Sequence, residues 1–135
     1  MSATSSMLSG RVRRILVVDS SPEGKERCRG ILEEAGYDTD GAVSGQEARY
    51  AAVRTPYDGV ILEVQLPDVR GLALVRWFRR YFPAVPMVIY SAGADWGLYD
   101  RARRAGAQDV VSKLSPPGEL VRAVGHCMGA ARLTG

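Results

Sequence analysis

Short, unbroken runs of apolar residues alternate with amphipathic stretches along most of the chain. The clearest apolar runs cover residues 15–18, 60–62, 85–90 and 110–111. Unbroken runs, as opposed to strict alternation of apolar and polar positions, are typical of strands that are covered on both faces, so these runs predict a parallel sheet. Residues 37–43 are more polar and predict a strand at the edge of that sheet.

Helix start and stop signals lie between the runs. Ser21 and Pro22 supply an N-cap and a proline at the first helical position, and Gly36 is placed to end that helix. The segment from Ser44 to Glu47 has the form of a capping box that opens a second helix. Three more helices are predicted: one with the apolar face Leu74, Trp77, Phe78 and Tyr81, one over residues 95–105, and one that begins around residues 115–117. Five strand–helix repeats predict a right-handed, doubly wound α/β sandwich.

The size and composition of the chain are those of one globular domain, with 135 residues, 46% hydrophobic positions and 24% charged positions. We expect this domain to cover residues 11–130, between a flexible leader at 1–10 and a tail at 131–135. The sequence contains no run of about 18 apolar residues, so it predicts no membrane-spanning helix. The Ser-rich leader lacks the features of a signal peptide. The expected location is the cytoplasm, where Cys28 and Cys127 would stay reduced, buried on apolar helix faces.

The net charge of +3 comes from 18 basic and 15 acidic residues, and only two of the basic residues, Lys25 and Lys113, are lysines. The densest basic clusters are Arg76, Arg79, Arg80 and Arg101, Arg103, Arg104. We expect both clusters to be solvated helix faces. Because the basic excess is small and spread along the sequence, we expect no direct binding of nucleic acid.

Polar side chains follow four of the five predicted strands at the point where each strand ends. Asp19 and Ser20 follow the first strand, Glu63 the third, Ser91 the fourth and Lys113 the fifth. Ligands of such sheets bind beyond the carboxyl ends of the strands, so these residues are expected to converge on one crevice. Taken singly, Asp19 could be a helix cap, Ser91 a turn residue and Lys113 a surface cation. Their joint arrangement favours a site.

Three segments carry a resemblance to a known family. Residues 63–72 resemble the D-x-x-M-P-x-M-x-G-x segment of the chemotaxis-type receiver domain of bacterial two-component response regulators. Residues 106–109 resemble the G-A-x-D turn of that family, and Gly36 with Tyr37 resembles its G-Y pair before the second strand. The resemblance covers residues 11–130. It implies the flavodoxin-like strand order 2-1-3-4-5 and a signalling role that is not enzymatic.

The resemblance also implies what the polar residues do. In intact family members, an acidic pair after the first strand and an acceptor aspartate hold Mg²⁺, while a Ser/Thr and a Lys contact the phosphoryl oxygens. Asp19 and Ser20 stand at the acidic pair, Glu63 at the acceptor, and Ser91 and Lys113 at the phosphoryl contacts. Ser20 and Glu63 therefore depart from the family pattern.

Two further departures lie near the fifth strand. Leu114 follows Lys113 where the family has a proline with a cis peptide bond, and Val110 stands where the family has an aromatic ring that changes rotamer. A cis bond before a residue other than proline would cost about 3 kcal/mol. The four departures together predict a degenerate receiver, a pseudo-receiver.

Loss of phosphoryl chemistry is the expected consequence. Mg²⁺ prefers octahedral oxygen ligands, usually one or two carboxylates with phosphate oxygens. With the neutral Ser20 and the longer Glu63, we expect no cofactor, or Mg²⁺ held weakly by Asp19, Glu63 and the backbone of Gln65. The extra methylene should also misplace the attacking oxygen. Glu63 paired with Lys113 could imitate a phosphoryl group, or it could mark decay of an unused site.

Two other interpretations stay open. The first is a competent receiver in a phosphorelay, which takes phosphate at Glu63 or Asp19. The second is a flavodoxin-like cofactor binder. That binder needs a phosphate-binding loop after the first strand, and here Pro22 removes an N–H donor while Glu23 would repel phosphate.

The working surface is expected on the fourth helix, fifth strand and fifth helix, which the family usually uses for signalling. The candidate interface residues combine aromatic and aliphatic anchors with arginines and are Trp96, Leu98, Tyr99, Arg101, Arg103 and Arg104. Helical spacing prevents all three apolar residues from facing the core, so at least one should be exposed. We expect this surface to bind a protein partner or a second copy, and an output domain could be attached.

Overall fold

The computed structural model describes residues 10–132, so residues 1–9 of the expected leader and 133–135 of the expected tail lie outside the described range. The strands are β1 (Arg14–Val18), β2 (Asp38–Ala42), β3 (Gly59–Leu62), β4 (Met87–Ser91) and β5 (Asp109–Ser112). The helices are α1 (Pro22–Glu34), α2 (Gly45–Arg54), α3 (Gly71–Tyr81), α4 (Trp96–Ala105) and α5 (Pro117–Met128).

The five strands form one parallel sheet in the order β2-β1-β3-β4-β5. This confirms the doubly wound α/β class, the strand order and the edge position of the polar strand β2. Val18, at the end of β1, is in register with Ala42 on one side and Leu62 on the other. The residues that follow β1 and β3 therefore emerge side by side at the same edge of the sheet.

Alternate residues of the inner strands face two separate helix layers. In β1, Leu16 and Val18 belong to the core beneath α2, α3 and α4, whereas Ile15 and Val17 belong to the core beneath α1 and α5. All four side chains are at most 1% exposed. Burial on both faces explains why the strand is an unbroken apolar run, because each face needs its own apolar side chains.

Side-chain caps begin α1, α2 and α4. The hydroxyl of Ser21 accepts from the Gly24 N–H, and the hydroxyl of Ser44 accepts from the Glu47 N–H. The capping box differs in one detail from the expected form. The Glu47 carboxylate accepts from the N–H of Val43, not from that of Ser44. The helix start was therefore predicted correctly, although its second hydrogen bond reaches one residue further.

Three local expectations need correction or addition. Cys28 is buried, and burial together with the charge of Asp19 raises the pKa of its thiol to about 12, but Cys127 is only half-buried. Tyr81, expected on the apolar face of α3, is 57% exposed. Part of the expected tail contacts the domain, since Arg132 pairs with Val12 in an antiparallel bridge.

None of the helices between residues 10 and 132 is long and apolar enough to cross a membrane.

Candidate functional site

Three strand ends deliver polar side chains to one place beyond the carboxyl edge of the sheet. Each is held by a backbone hydrogen bond that extends the sheet past its last paired residue. The N–H of Asp19 donates to Ala42, that of Glu63 to Val18 at the same 2.9 Å, and that of Lys113 to Ser91 at 3.0 Å. The positions of the three side chains are therefore set by the rigid sheet and not by flexible loops.

Lys113 lies between the two carboxylates. Its Nζ is 2.6 Å from Oδ2 of Asp19 and 3.0 Å from Oε1 of Glu63. The side chains are 6% (Asp19), 13% (Glu63) and 21% (Lys113) exposed. Burial lowers the pKa of Lys113, but hydrogen bonds to Asp19 and Glu63 and their charges raise it more, so the pKa lies above its ordinary value of 10.5. One cation thus serves two anions, and the triad keeps a net charge of −1.

The oxygen atoms that could hold a metal ion already have hydrogen-bond partners. Oδ1 of Asp19 accepts from the Ser21 N–H at 2.9 Å, and Oε2 of Glu63 accepts from the N–H of Val64 at 2.7 Å. The hydroxyl of Ser20 donates to the backbone oxygen of Gln65 at 3.3 Å. Among residues 10–132, no group of three or more His, Cys, Asp or Glu side chains is arranged to hold a metal ion.

Ser91 reaches the same crevice without joining the triad. It is 3% exposed, and its hydroxyl accepts from the Gly93 N–H at 3.2 Å. Its side chain forms no hydrogen bond with Glu63 or Lys113 in the described part of the chain. A cavity of about 560 Å³ lies between Glu63, Ser91, Gly93 and Arg101. Space for a small polar group therefore remains beside the Glu63 side chain.

Asp68 is a structural contributor to the site that sequence reasoning missed. Its two carboxylate oxygens accept from the Gly45 and Gln46 N–H groups, both at 2.8 Å. These hydrogen bonds lower the pKa of Asp68 and tie the loop after β3 to the start of α2. Gly45 permits the contact, because a Cβ there would lie 2.3 Å from Val69. A cap that comes from 23 residues away leaves no local sequence signal.

The candidate interface is only partly exposed. Trp96 is 84% exposed and packs edge-to-face on the half-buried Tyr99, with ring centroids 5.7 Å apart. Leu98 was expected in this interface, but it is only 4% exposed, because its position on α4 faces the core beneath α2–α4. An open groove of about 580 Å³ runs beside Trp96, Tyr99 and Val110. Arg101, Arg103 and Arg104 are exposed, as expected.

The segment after Lys113 also differs from the family pattern that the resemblance implies. All peptide bonds between residues 10 and 132 are trans, including the one before Leu114. Leu114 itself is 82% exposed at the rim of the site.

Comparison with known proteins agrees with the strand order. The family profile described as "Response regulator receiver domain" matches residues 15–125. The chain belongs to this family. Among curated relatives, this receiver domain is 29% identical over 129 residues to the transcriptional regulatory protein GltR of Pseudomonas aeruginosa, covering 94% of the chain and 53% of GltR. It is 31% identical over 108 residues to the response regulator protein PilR of the same organism, covering 80% of the chain and 24% of PilR.

Other relatives are closer to the receiver domain in length. The polar-differentiation response regulator DivK of Brucella ovis is 25% identical over 121 residues, covering 88% of the chain and 98% of DivK. The crystal structure of a putative response regulator from Chloroflexus aurantiacus is 29% identical and superposes with a TM-score of 0.81, covering 86% of this chain and 97% of that one. The receiver domain therefore spans about half of GltR, a quarter of PilR and almost all of DivK.

Proposed function

We propose that this receiver domain signals through protein–protein contact without accepting a phosphoryl group, with Glu63 at the position of the phosphoacceptor. One observation carries the proposal: Lys113 contacts both Asp19 and Glu63, so each carboxylate of the site already has a cationic partner within the protein. In this arrangement the domain holds one conformation that does not depend on a phosphodonor.

The side chains do not fit a Mg²⁺ ion as they stand. A divalent cation would have to take Oδ2 of Asp19 and Oε1 of Glu63 from Lys113, and the Gln65 oxygen from Ser20. Close approach of a divalent cation to the ammonium of Lys113 would be repulsive. Ser20 offers a neutral hydroxyl instead of a second charge, and Mg²⁺ depends on carboxylates for most of its protein ligation. We therefore propose weak metal binding at best.

The geometry of Glu63 also opposes attack on a phosphodonor. Both oxygens of its carboxylate have partners, Lys113 on one and the N–H of Val64 on the other. Attack requires an oxygen that is free and aligned with the leaving group, and a displacement of about 1 Å can cost roughly a hundredfold in rate. The Glu63 carboxylate bonds to the N–H of the adjacent Val64, so its oxygens are not aligned for attack.

A competent receiver is the second candidate, and the retained groups favour it. Ser91 and Lys113 occupy the positions that the family uses for phosphoryl contacts, and the cavity beside Glu63 could admit a small donor. A cofactor-binding function receives no such support, because Pro22 lies at the first position of α1 and Glu23 in its first turn.

Incubation with acetyl phosphate, or with beryllofluoride, in the presence of Mg²⁺ tests the proposal. We expect the intact mass to stay unchanged and no fluoride adduct to appear in the ¹⁹F spectrum. The double variant Ser20→Asp/Glu63→Asp is the matched positive control, and we expect it to bind Mg²⁺ and label partly. A stoichiometric adduct on the unmodified chain would establish the competent receiver instead. A folded double variant that gains nothing would show that the site differs from the family beyond these two residues.

The proposed working surface is formed by α4, β5 and α5, with Trp96 and Tyr99 as its apolar anchors. The exposed Trp96 packed on the half-buried Tyr99, with Arg103 on the same side of α4, has the composition of an interface centre and its rim. We propose a protein partner or a second copy as the ligand, and the cytoplasm as the location. The match to part of GltR, a transcriptional regulatory protein by name, motivates an attached output domain as a further proposal.

A further inference from the structure

Helices α3 and α4 hold more positive charge than the whole chain. Together they contain six arginines and one aspartate, a net charge of +5, whereas the chain carries +3 and the remaining residues therefore carry −2. The two helices pack side by side on one face of the sheet. Two clusters that are separate in the sequence thus contribute to one surface, the arginine face, defined by Arg76, Arg79, Arg80, Arg101 and Arg104. Arg103 lies on the other side of α4, with Trp96 and Tyr99.

Two arginines of α3 and α4 stabilise the ends of the helices. Arg79 donates to the backbone oxygen of Gly106 at 2.6 Å and also to that of Pro83. Arg103 donates to the backbone oxygen of Gln108, again at 2.6 Å. These carbonyl groups lie at or just beyond helix C-termini, where the helix offers no N–H partner. The fold itself therefore explains the presence of Arg79 and Arg103, because both stabilise helix ends.

The other four guanidinium groups form no hydrogen bond to a helix end among the described residues. Arg104 pairs with Asp100 at 3.1 Å, but the side chains are 79% and 61% exposed, and such surface pairs contribute little. Arg76 and Arg101 are exposed and form no ion pair or hydrogen bond with any described residue. Arg80 is exposed too, and its guanidinium lies over the ring of Tyr81 at 5.5 Å.

We propose that the arginine face binds an acidic segment of a partner protein. Guanidinium groups bind planar anions such as carboxylates through two parallel N–H donors, and four of them lie exposed on two adjacent helices. The rest of the chain carries a net charge of −2, so the positive excess of the chain lies on these two helices, where it attracts an acidic segment.

Nucleic acid fits this face less well than an acidic segment does. Single strands need open aromatic faces for base stacking, but Trp77 packs against Phe78 and Tyr81, and Arg80 covers Tyr81.

The arginine face lies on the other side of α4 from Trp96, although Arg101 and Arg104 were expected in the same interface as Trp96. Arg101 lines the cavity beside Val64 and Gln65, which belong to the loop that leads into α3, so Arg101 lies on the α3 side of α4. The Trp96 groove lies on the opposite side, next to β5. The arginine face therefore adjoins the Glu63 cavity through Arg101 and lies apart from the Trp96 groove.

Fluorescence anisotropy with a labelled oligoglutamate peptide tests this inference at low and at physiological salt. The test variant neutralises three uncommitted arginines: Arg76→Gln, Arg101→Gln and Arg104→Gln. The control variant removes the same charge from α1 and α2: Arg27→Gln, Arg49→Gln and Arg54→Gln. Labelled single-stranded and duplex DNA serve as competing probes, and circular dichroism checks that both variants fold.

We expect oligoglutamate to bind the unmodified domain and to dissociate as salt screens the charges. Its affinity should fall about tenfold or more in the test variant and less than about twofold in the control. Equal losses in the two variants would show attraction by net charge alone and would overturn the inference. So would an unmodified domain that does not bind the peptide, or one that binds either DNA probe more tightly.

Discussion

At the scale of single residues, Lys113 controls the stability of the polar site. Replacing it by methionine keeps the aliphatic stem but leaves Asp19 and Glu63 buried without their cation. Removing one partner of a buried ion pair costs about 3 kcal/mol. We therefore expect Lys113→Met to lower the free energy of unfolding by about 3 kcal/mol at neutral pH, measured by urea denaturation with a chelator present.

Lys25 provides the matched control, because it is the other lysine and its side chain is equally covered, 20% exposed against 21%. Its partner Glu26 is 59% exposed and 3.7 Å away, so Lys25→Met should cost less than about 1 kcal/mol.

The raised pKa of Lys113 also makes stability depend on pH. The contribution of Lys113 to the free energy of unfolding is complete below the ordinary pKa of 10.5, and it is lost as pH rises through the higher pKa of the folded state. The stability difference between the unmodified domain and Lys113→Met should therefore shrink in strong alkali. A difference that stays constant there would contradict the role given to the ammonium.

At the scale of the helices, two glycines lower stability without a packing reason. A Cβ added at Gly30 in α1 or Gly125 in α5 would meet no atom within 4 Å beyond its chain neighbours and the backbone of its own helix turns. Glycine inside a helix is about 1 kcal/mol less favourable than alanine, because it loses more backbone freedom on folding. Gly30→Ala and Gly125→Ala should each raise the urea midpoint.

Gly71, at the start of α3, should respond in the opposite direction. A Cβ there would lie 2.4 Å from the backbone of Val64 and 2.9 Å from that of Glu63, in the loop that holds the site. Gly71→Ala should destabilise the domain by about 2 kcal/mol, because backbone atoms have to move. If Gly30→Ala also destabilised the domain, that result would contradict the open space that the structure shows around Gly30.

At the scale of the whole molecule, Trp96 should govern association. A buried aromatic anchor contributes about 2 kcal/mol or more to a protein interface, which corresponds to about a 30-fold change in affinity. We expect Trp96→Ala, and to a lesser degree Tyr99→Ala, to weaken self-association in light scattering or partner capture in pull-downs. Tyr50→Ala is the control, because Tyr50 is 62% exposed on α2, away from this surface. Folded Trp96 and Tyr99 variants that associate normally would place the working surface elsewhere.

The fold and part of the site could be predicted because the deciding signals are local. The β1 run has no polar residue, since both of its faces are covered, and Ser21 and Ser44 cap the helices that directly follow them. The placement of Asp19, Glu63 and Lys113 at one edge then follows from the parallel order of the strands. Leu98 was misplaced because helical spacing alone does not show which arc of α4 faces the sheet.

The sequence by itself determined the elements, their class and the polar residues at the strand ends, because each depends on neighbours within a few residues. Only the tertiary structure decided which of those groups are partners. Lys113 contacts Asp19 across 94 residues, and Asp68 caps a helix that begins 23 residues earlier. The carboxylate oxygens that Lys113 contacts depend on strand order and side-chain length. The arginines that share a face depend on how the helices pack. No local pattern contains that information.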